Sequence, residues 1–144
     1  VRLNLMQLDN LIGAVGISQM VVRPGDTALA HGSGDMAILS TSFLVTLMES
    51  ACNSAIAEIL DNGESTVTSK IELEVNNPVG IGSEIQGAAT CTEIEDGILQ
   101  FAFEIHDGDR LVAAGRVWRK LVDRVNYLAK SAALAVLSQQ APRD

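Results

Sequence analysis

The chain has 144 residues, a formal net charge of −8 and a sequence pI near 4.6. That length fits one domain, and the acidity argues against nucleic acid as a partner. Hydrophobic residues make up 47% and aromatics only 3%, so an aliphatic core is expected, yet no apolar run reaches the roughly 20 residues that a membrane-spanning helix needs.

The N-terminus has no basic segment followed by an apolar one, so no secretory signal is expected. It also lacks an initiator Met. Val15 to Val22 reads as the first strand, closed by Pro24-Gly25. "ALAHGSGD" reads as a loop, because Gly32-Ser33-Gly34 disfavours regular structure. A long helix from Leu39 to Leu60 follows, with Ser40 or Thr41 as its N-cap and Asp61-Asn62-Gly63 as its stop. Along it, Ser42, Thr46, Glu49 and Asn53 recur at spacings of four, three and four. They form one narrow polar line on an otherwise apolar rod. A carboxylate on such a helix needs a partner or a purpose.

After the helix the period changes from 3.6 to 2. In "TVTSKIELEV", Val67, Ser69, Ile71, Leu73 and Val75 are expected to share the face toward the helix. Thr66, Thr68, Lys70, Glu72 and Glu74 are expected on the other. "NNPVGIG" breaks the strand, and Ser83 to Glu95 makes the next. Asp96-Gly97 and Asp107-Gly108-Asp109 are hairpin signals on either side of a strand carrying Leu99, Phe101, Phe103 and Ile105. Arg110 to Val122 reads as the last strand. Val125, Leu128, Ala129, Ala132 and Val136 then give a helical stripe. The chain is thus expected to be one α+β domain over residues 1–144. Its core of about 15–122 is a curved antiparallel sheet around a long central helix, with a C-terminal helical extension of about 123–140.

Two cysteines, Cys52 and Cys91, make neither a disulfide framework nor a zinc site. They are expected as buried thiols, and a cytoplasmic location is expected with them. Arg110, Arg116, Arg119, Lys120 and Arg124 are half of the ten basic residues. They read either as a solvated strand face or as an anchor for an anionic ligand. Arg116, Trp118 and Lys120 alternate onto one face, which suits the phosphates of a nucleotide.

"GSGDMAILSTSFLVTLMESAC" and "NPVGIGSEI" resemble the fluoroacetyl-CoA thioesterase family of hotdog-fold proteins, over about Val15 to Val122. The resemblance implies a hotdog fold, a homodimer or dimer of dimers, and acyl-CoA bound between subunits, with no cofactor beyond the coenzyme A of the substrate. The small residues Ala51, Ala55 and Ala57 are expected to allow close approach of a second helix. By resemblance, Thr41 and Glu49 take the positions of the family's catalytic Thr and Glu, and the family's His position is held by Val75. Asn76 or Asn77 is then the candidate to position water. Backbone N–H groups near Ser42 and Phe43 are expected to receive an oxyanion. Gly34 and His31 are expected at the site mouth, and Arg116 and Lys120 on the CoA phosphates. Burial is expected to favour neutral Glu49, and a hydrogen bond from Thr41 to favour the ionised form.

Three functions remain open on the sequence. One is hydrolysis of a small acyl-CoA through Glu49 and Thr41. A second is a non-catalytic acyl-CoA-binding module. The third is enoyl-CoA hydration, since Asp26 and His31 reproduce the Asp-x-x-x-x-His spacing of hotdog hydratases.

Overall fold

Alternating apolar residues and tight Asp-Gly turns build a meander. In the computed structural model, which describes residues 2–140, it comprises β3 (Glu84–Glu95), β4 (Ile98–Asp107) and β5 (Arg110–Asp123). Gly97 and Gly108 sit at positive φ in the two turns, where a side chain would strain the backbone. β2 (Glu64–Val75) pairs with β5, and β1 (Val15–Val21) pairs with β3. The sheet order is β1-β3-β4-β5-β2, antiparallel throughout. β1 and β2 are therefore its edges.

The long helix α3 (Thr41–Ile56) lies on one face of this sheet, chiefly against β1 and β3. Leu44, Leu47, Met48, Ala51, Cys52 and Ile56 form its buried stripe. They meet Ile85, Ala89, Cys91, Leu99, Phe101, Phe103 and Val117 from the strands. Each fully buried large aliphatic or aromatic side chain there contributes about 1.5–3 kcal/mol. The helix is not apolar all round: Ser42, Thr46 and Asn53 are exposed. Of the small residues expected to admit a second helix, Ala51 and Ala55 are covered within the chain, while Ala57 is exposed. A Cβ on Gly16 of β1 would lie 1.9 Å from the Ala51 carbonyl oxygen and 2.5 Å from the Ala55 nitrogen. Ser18 of the same strand donates to the Leu47 carbonyl at 2.8 Å. Strand β1, rather than a neighbouring subunit, occupies the Ala51 and Ala55 face.

Two helices were not expected from the sequence. Before β1, α1 (Leu5–Leu11) is opened by a capping box between Asn4 and Gln7. Gln7 Nε2 also donates to Glu64 Oε1 at 2.8 Å, tying α1 to the start of β2. Within the expected loop, α2 (Ala28–His31) forms a single turn, capped by the Thr27 hydroxyl and closed by Gly32 in the left-handed conformation. After β5, α4 (Arg124–Gln140) is exposed along its whole length. No helix among the described residues is long and apolar enough to cross a membrane. Residue 1 and residues 141–144 of the expected 1–144 unit lie outside the described residues.

Candidate functional site

The polar line of α3 opens toward the β2 edge. A bulge between Thr68 and Lys70 resets the alternation of β2. Beyond it, Ile71 and Leu73 pack on the core, as expected. Before it, the faces are opposite to those expected. Thr66 and Thr68 pair with Leu121 and Arg119 and point inward, while Val67 pairs with Lys120 on the outer face. The bulge thus places two hydroxyls beneath the middle of α3.

Arg119 completes the arrangement. It follows the inward parity of Val117 and Leu121 and is only 7% exposed. Its Nε donates to Thr66 Oγ1 at 3.1 Å and its Nη2 to the Thr66 carbonyl at 3.0 Å. Its Nη1 donates to Thr68 Oγ1 at 2.7 Å and reaches Glu49 Oε2 at 3.4 Å. Thr68 Oγ1 donates to the same Glu49 oxygen at 2.8 Å. The Glu49 side chain remains 43% exposed, and its Oε1 has no hydrogen-bond partner among the described residues. Below it, Cys52 is pushed up from 9.0 to about 12, chiefly by burial and in smaller part offset by the Arg119 charge. Burial likewise pushes Cys91 up to about 11. Both are neutral thiols, unsuited to nucleophilic attack.

The helix start is separate from this cluster. Thr41 is exposed and lies eight residues before Glu49, about 12 Å along a helix axis. The expected Thr41–Glu49 hydrogen bond is replaced by the pairing of Glu49 with Thr68 and Arg119. Ser40 is the N-cap residue, and its buried hydroxyl links those of Ser33 at 3.1 Å and Ser42 at 2.9 Å. The Phe43 N–H donates to the Ser40 carbonyl at 3.0 Å, so it is engaged within the turn. The N–H groups of Thr41 and Ser42 have no partner within the helix. His31 packs edge-on against the Phe43 ring with centroids 4.9 Å apart. A Cβ on Gly34 would come within 3.1 Å of the Ala28 side chain. Gly34, His31, Phe43, Ser42 and Thr41 thus gather at one end of α3.

Other expected site residues are not brought to Glu49 by their own chain. Val75 is 48% exposed, at the far end of β2. Seven residues separate it from Thr68, about 23 Å along a strand. The expected approach of residue 75 to Glu49 therefore fails within one chain. Asn76 stays at the Val75 end, where its N–H donates to the Val112 carbonyl at 2.8 Å. The Asn77 amide donates to the Leu111 carbonyl at 2.6 Å, which is a turn-holding contact. Arg116 and Lys120 are exposed on the outer face, with the sheet between them and Glu49. Arg116 sits 4.0 Å from Glu72 there, beside a hollow of about 750 Å³ lined by Glu74, Glu104, Ala102 and Ala114. The Asp26 carboxylate accepts from the Arg23 N–H at 2.9 Å, and no hydrogen bond joins it to His31. The spacing that suggested a hydratase therefore builds no acid–base pair.

Arg119 is the residue that the sequence reading passed over, as one of a basic group. Its signal was parity: within Arg116–Lys120 it alone falls on the face of Val117 and Leu121. The inward turn of Thr66 and Thr68 had no such signal, because a strict period of two assigns them outward.

Comparison with known proteins agrees with this architecture. A family model described as fluoroacetyl-CoA-specific thioesterase, FlK, matches residues 22–125. A thioesterase-superfamily protein from Thermus thermophilus superposes with a TM-score of 0.83 at 20% identity, covering 90% of this chain and 96% of that chain. The fluoroacetyl-CoA thioesterase FlK itself gives 0.77 at 23% identity, covering 91% and 97%. Structures of FlK variants hold fluoroacetate with CoA, or acetyl-CoA. A hot-dog-like protein from Thermanaerovibrio acidaminovorans gives 0.75 at 19% identity, covering 92% and 94%. These likenesses show the hotdog fold. A search of curated proteins found no match. The family model spans well over half of the chain, and the protein therefore belongs to the fluoroacetyl-CoA-specific thioesterase family.

Proposed function

We propose that this protein hydrolyses a small acyl-CoA thioester, with Glu49 as the base and with each site shared between two copies of the chain. The observation that carries the reading is the state of the Glu49 carboxylate. One oxygen is held by two donors and the other is free, on a polar line open to solvent. In the reaction, Oε1 takes a proton from water, and the water oxygen attacks the thioester carbonyl carbon. Collapse of the tetrahedral intermediate breaks the C–S bond. The proton passes from Glu49 to the departing sulfur, leaving a carboxylic acid and free CoA. The unpaired N–H groups of Thr41 and Ser42 are the candidate oxyanion donors.

The edge position of β2 supports a shared site. Two β2 strands pairing antiparallel about a two-fold axis near Glu72 would bring Val75 and Asn76 of the partner subunit against the Thr68–Ser69 bulge. Lys70 and Arg116, which flank Glu72 at 3.5 and 4.0 Å, offset the like charges that would meet there. Asn76 of the partner subunit then orients the attacking water in place of an imidazole. With Val75 at the family's His position, Glu49 alone must both activate the water and protonate the leaving sulfur, so turnover is slow or limited to activated acyl groups.

The test is a panel of short acyl-CoAs, assayed for free thiol with the wild type and with Glu49→Gln. Hydrolysis that falls at least roughly a hundredfold in the variant is expected. Hydrolysis retained within a few-fold removes Glu49 from the mechanism. Saturable binding without thiol release would make the protein a binding module, and loss of enoyl absorbance without thiol release would make it a hydratase.

A further inference from the structure

We infer that Arg119, acting through Thr68, is a positioning residue that reserves Oε1 of Glu49 as the proton-accepting atom. The inference rests on the reading of Glu49 as the base. It starts from the donor inventory. A guanidinium has five N–H donors and no acceptor, and a threonine hydroxyl has one proton to give. Nη1 of Arg119 points at Thr68 Oγ1 at 2.7 Å, so that hydroxyl is the acceptor in the contact. Its single proton is then directed to Glu49 Oε2 at 2.8 Å. Oε2 also faces Nη1 directly at 3.4 Å. Two donors converge on this oxygen, and a proton placed on it would confront both. A proton that arrives at Glu49 is therefore carried on Oε1.

The rest of the cluster fixes the donor. Burying an arginine at 7% exposure is costly unless its hydrogen bonds are satisfied. Thr66 satisfies two of them, through its hydroxyl and its carbonyl, and holds the guanidinium plane against β2. The strand ladder between β2 and β5 is already continuous on both sides of the bulge. What the guanidinium adds is a link from the sheet to α3, made at Glu49. The thiol of Cys52 on α3, which interacts with this carboxylate, is held neutral by burial. Arg119 is thus the fixed charge that faces it. The bulge is part of the device, because it allows Thr68 to face inward on a strand whose next segment turns Ile71 and Leu73 inward.

The experiment compares Thr68→Val, Thr68→Ser, Arg119→Lys and Arg119→Met on the acyl-CoA that the wild type hydrolyses. Folded protein is quantified by thermal melting for each. Thr68→Val removes the bridging hydroxyl at nearly constant volume. It is expected to lower kcat roughly ten- to hundredfold, with KM within about twofold. Thr68→Ser restores the hydroxyl and should recover kcat. Arg119→Lys keeps the charge but loses the fork, and should fall between wild type and Arg119→Met. In a Glu49→Gln background, Thr68→Val should cost nothing further, the signature of groups acting as one unit. A merely structural role would lower the melting temperature and leave kcat per folded molecule unchanged. If Thr68→Val and Arg119→Lys keep wild-type kcat while Glu49→Gln loses it, the positioning role is overturned and the role of Glu49 stands. If Glu49→Gln is itself active, or no acyl-CoA is hydrolysed, the proposed function falls and this inference falls with it.

Discussion

Cys52 and Cys91 illustrate how strongly burial acts beneath the polar cluster. Their thiols are pushed up to about 12 and about 11, each chiefly by desolvation. A thiol–disulfide reagent at pH 8 should leave both unlabelled in the folded protein and label both in urea; labelling at equal rates in both states would contradict the burial. Stability carries the same sign. The unfolded thiol ionises from about 9, while folded Cys52 stays neutral until about 12. The unfolded chain thus loses its proton first, and stability falls as pH rises across that window. The urea midpoint should therefore drop between pH 8 and 10, and a Cys52→Ala variant should show a smaller drop. Individual side chains were unequally legible in the sequence. The isolation of Glu49 on a polar line was visible, because helical spacing is local. Its partners were not, since Thr68 and Arg119 lie 19 and 70 residues away. Its expected partner Thr41 sits on the same helix but two turns too far.

The strands were legible because turn chemistry punctuates them. The long helix was legible by its apolar stripe, although it ends at Ile56 and not at the expected Asp61-Asn62-Gly63 stop. Asp96-Gly97, Asp107-Gly108 and Asn77-Pro78 mark breaks that the structure keeps, so β3, β4 and β5 match the sequence reading within a residue or so. α1 was missed although Asn4 and Gln7 carry its capping box, because the segment is short and has no apolar stripe long enough to register. The bulge in β2 was missed because an inserted residue leaves no mark in a pattern of period two. The contact between β1 and α3 supplies a prediction about these elements. Gly16→Ala would drive a methyl group into the Ala51 carbonyl, forcing the helix off the strand. A loss of about 1–3 kcal/mol is expected from such overpacking, read as a lower urea midpoint with unchanged slope. An unchanged midpoint would mean that α3 can slide on β1. α4 makes the opposite case: with no buried residue, its removal after Val125 should leave the urea midpoint of the remaining domain unaltered.

The expected site residues do not all meet within one chain. Within one chain the sheet separates Arg116 and Lys120 from Glu49, so a nucleotide held by them would have to round the β2 edge. Ala at both positions is therefore expected to change KM for an acyl-CoA and for its acyl-pantetheine analogue by the same factor. Selective loss for the acyl-CoA would place its phosphates on the outer face after all. The distance from Thr68 to Val75 poses the sharper question. If each site joins Glu49 of one copy to Val75 and Asn76 of the partner subunit, defects at the two ends should complement. Glu49→Gln subunits lack the base, and Val75→Arg subunits present a bulky cation where water must be held. Each homodimer should be inactive. Mixed one to one through a reversible unfolding step, half of the dimers become heterodimers. Each of these carries one site with both defects and one with neither, so about a quarter of wild-type activity should return. In a site confined to one chain, every site in the mixture would carry one defect, and no activity would return. Val75→His makes the same geometry constructive: an imidazole there would reach Glu49 of the partner subunit and raise kcat, and paired with Glu49→Gln in one chain it should rescue only when mixed with wild-type subunits.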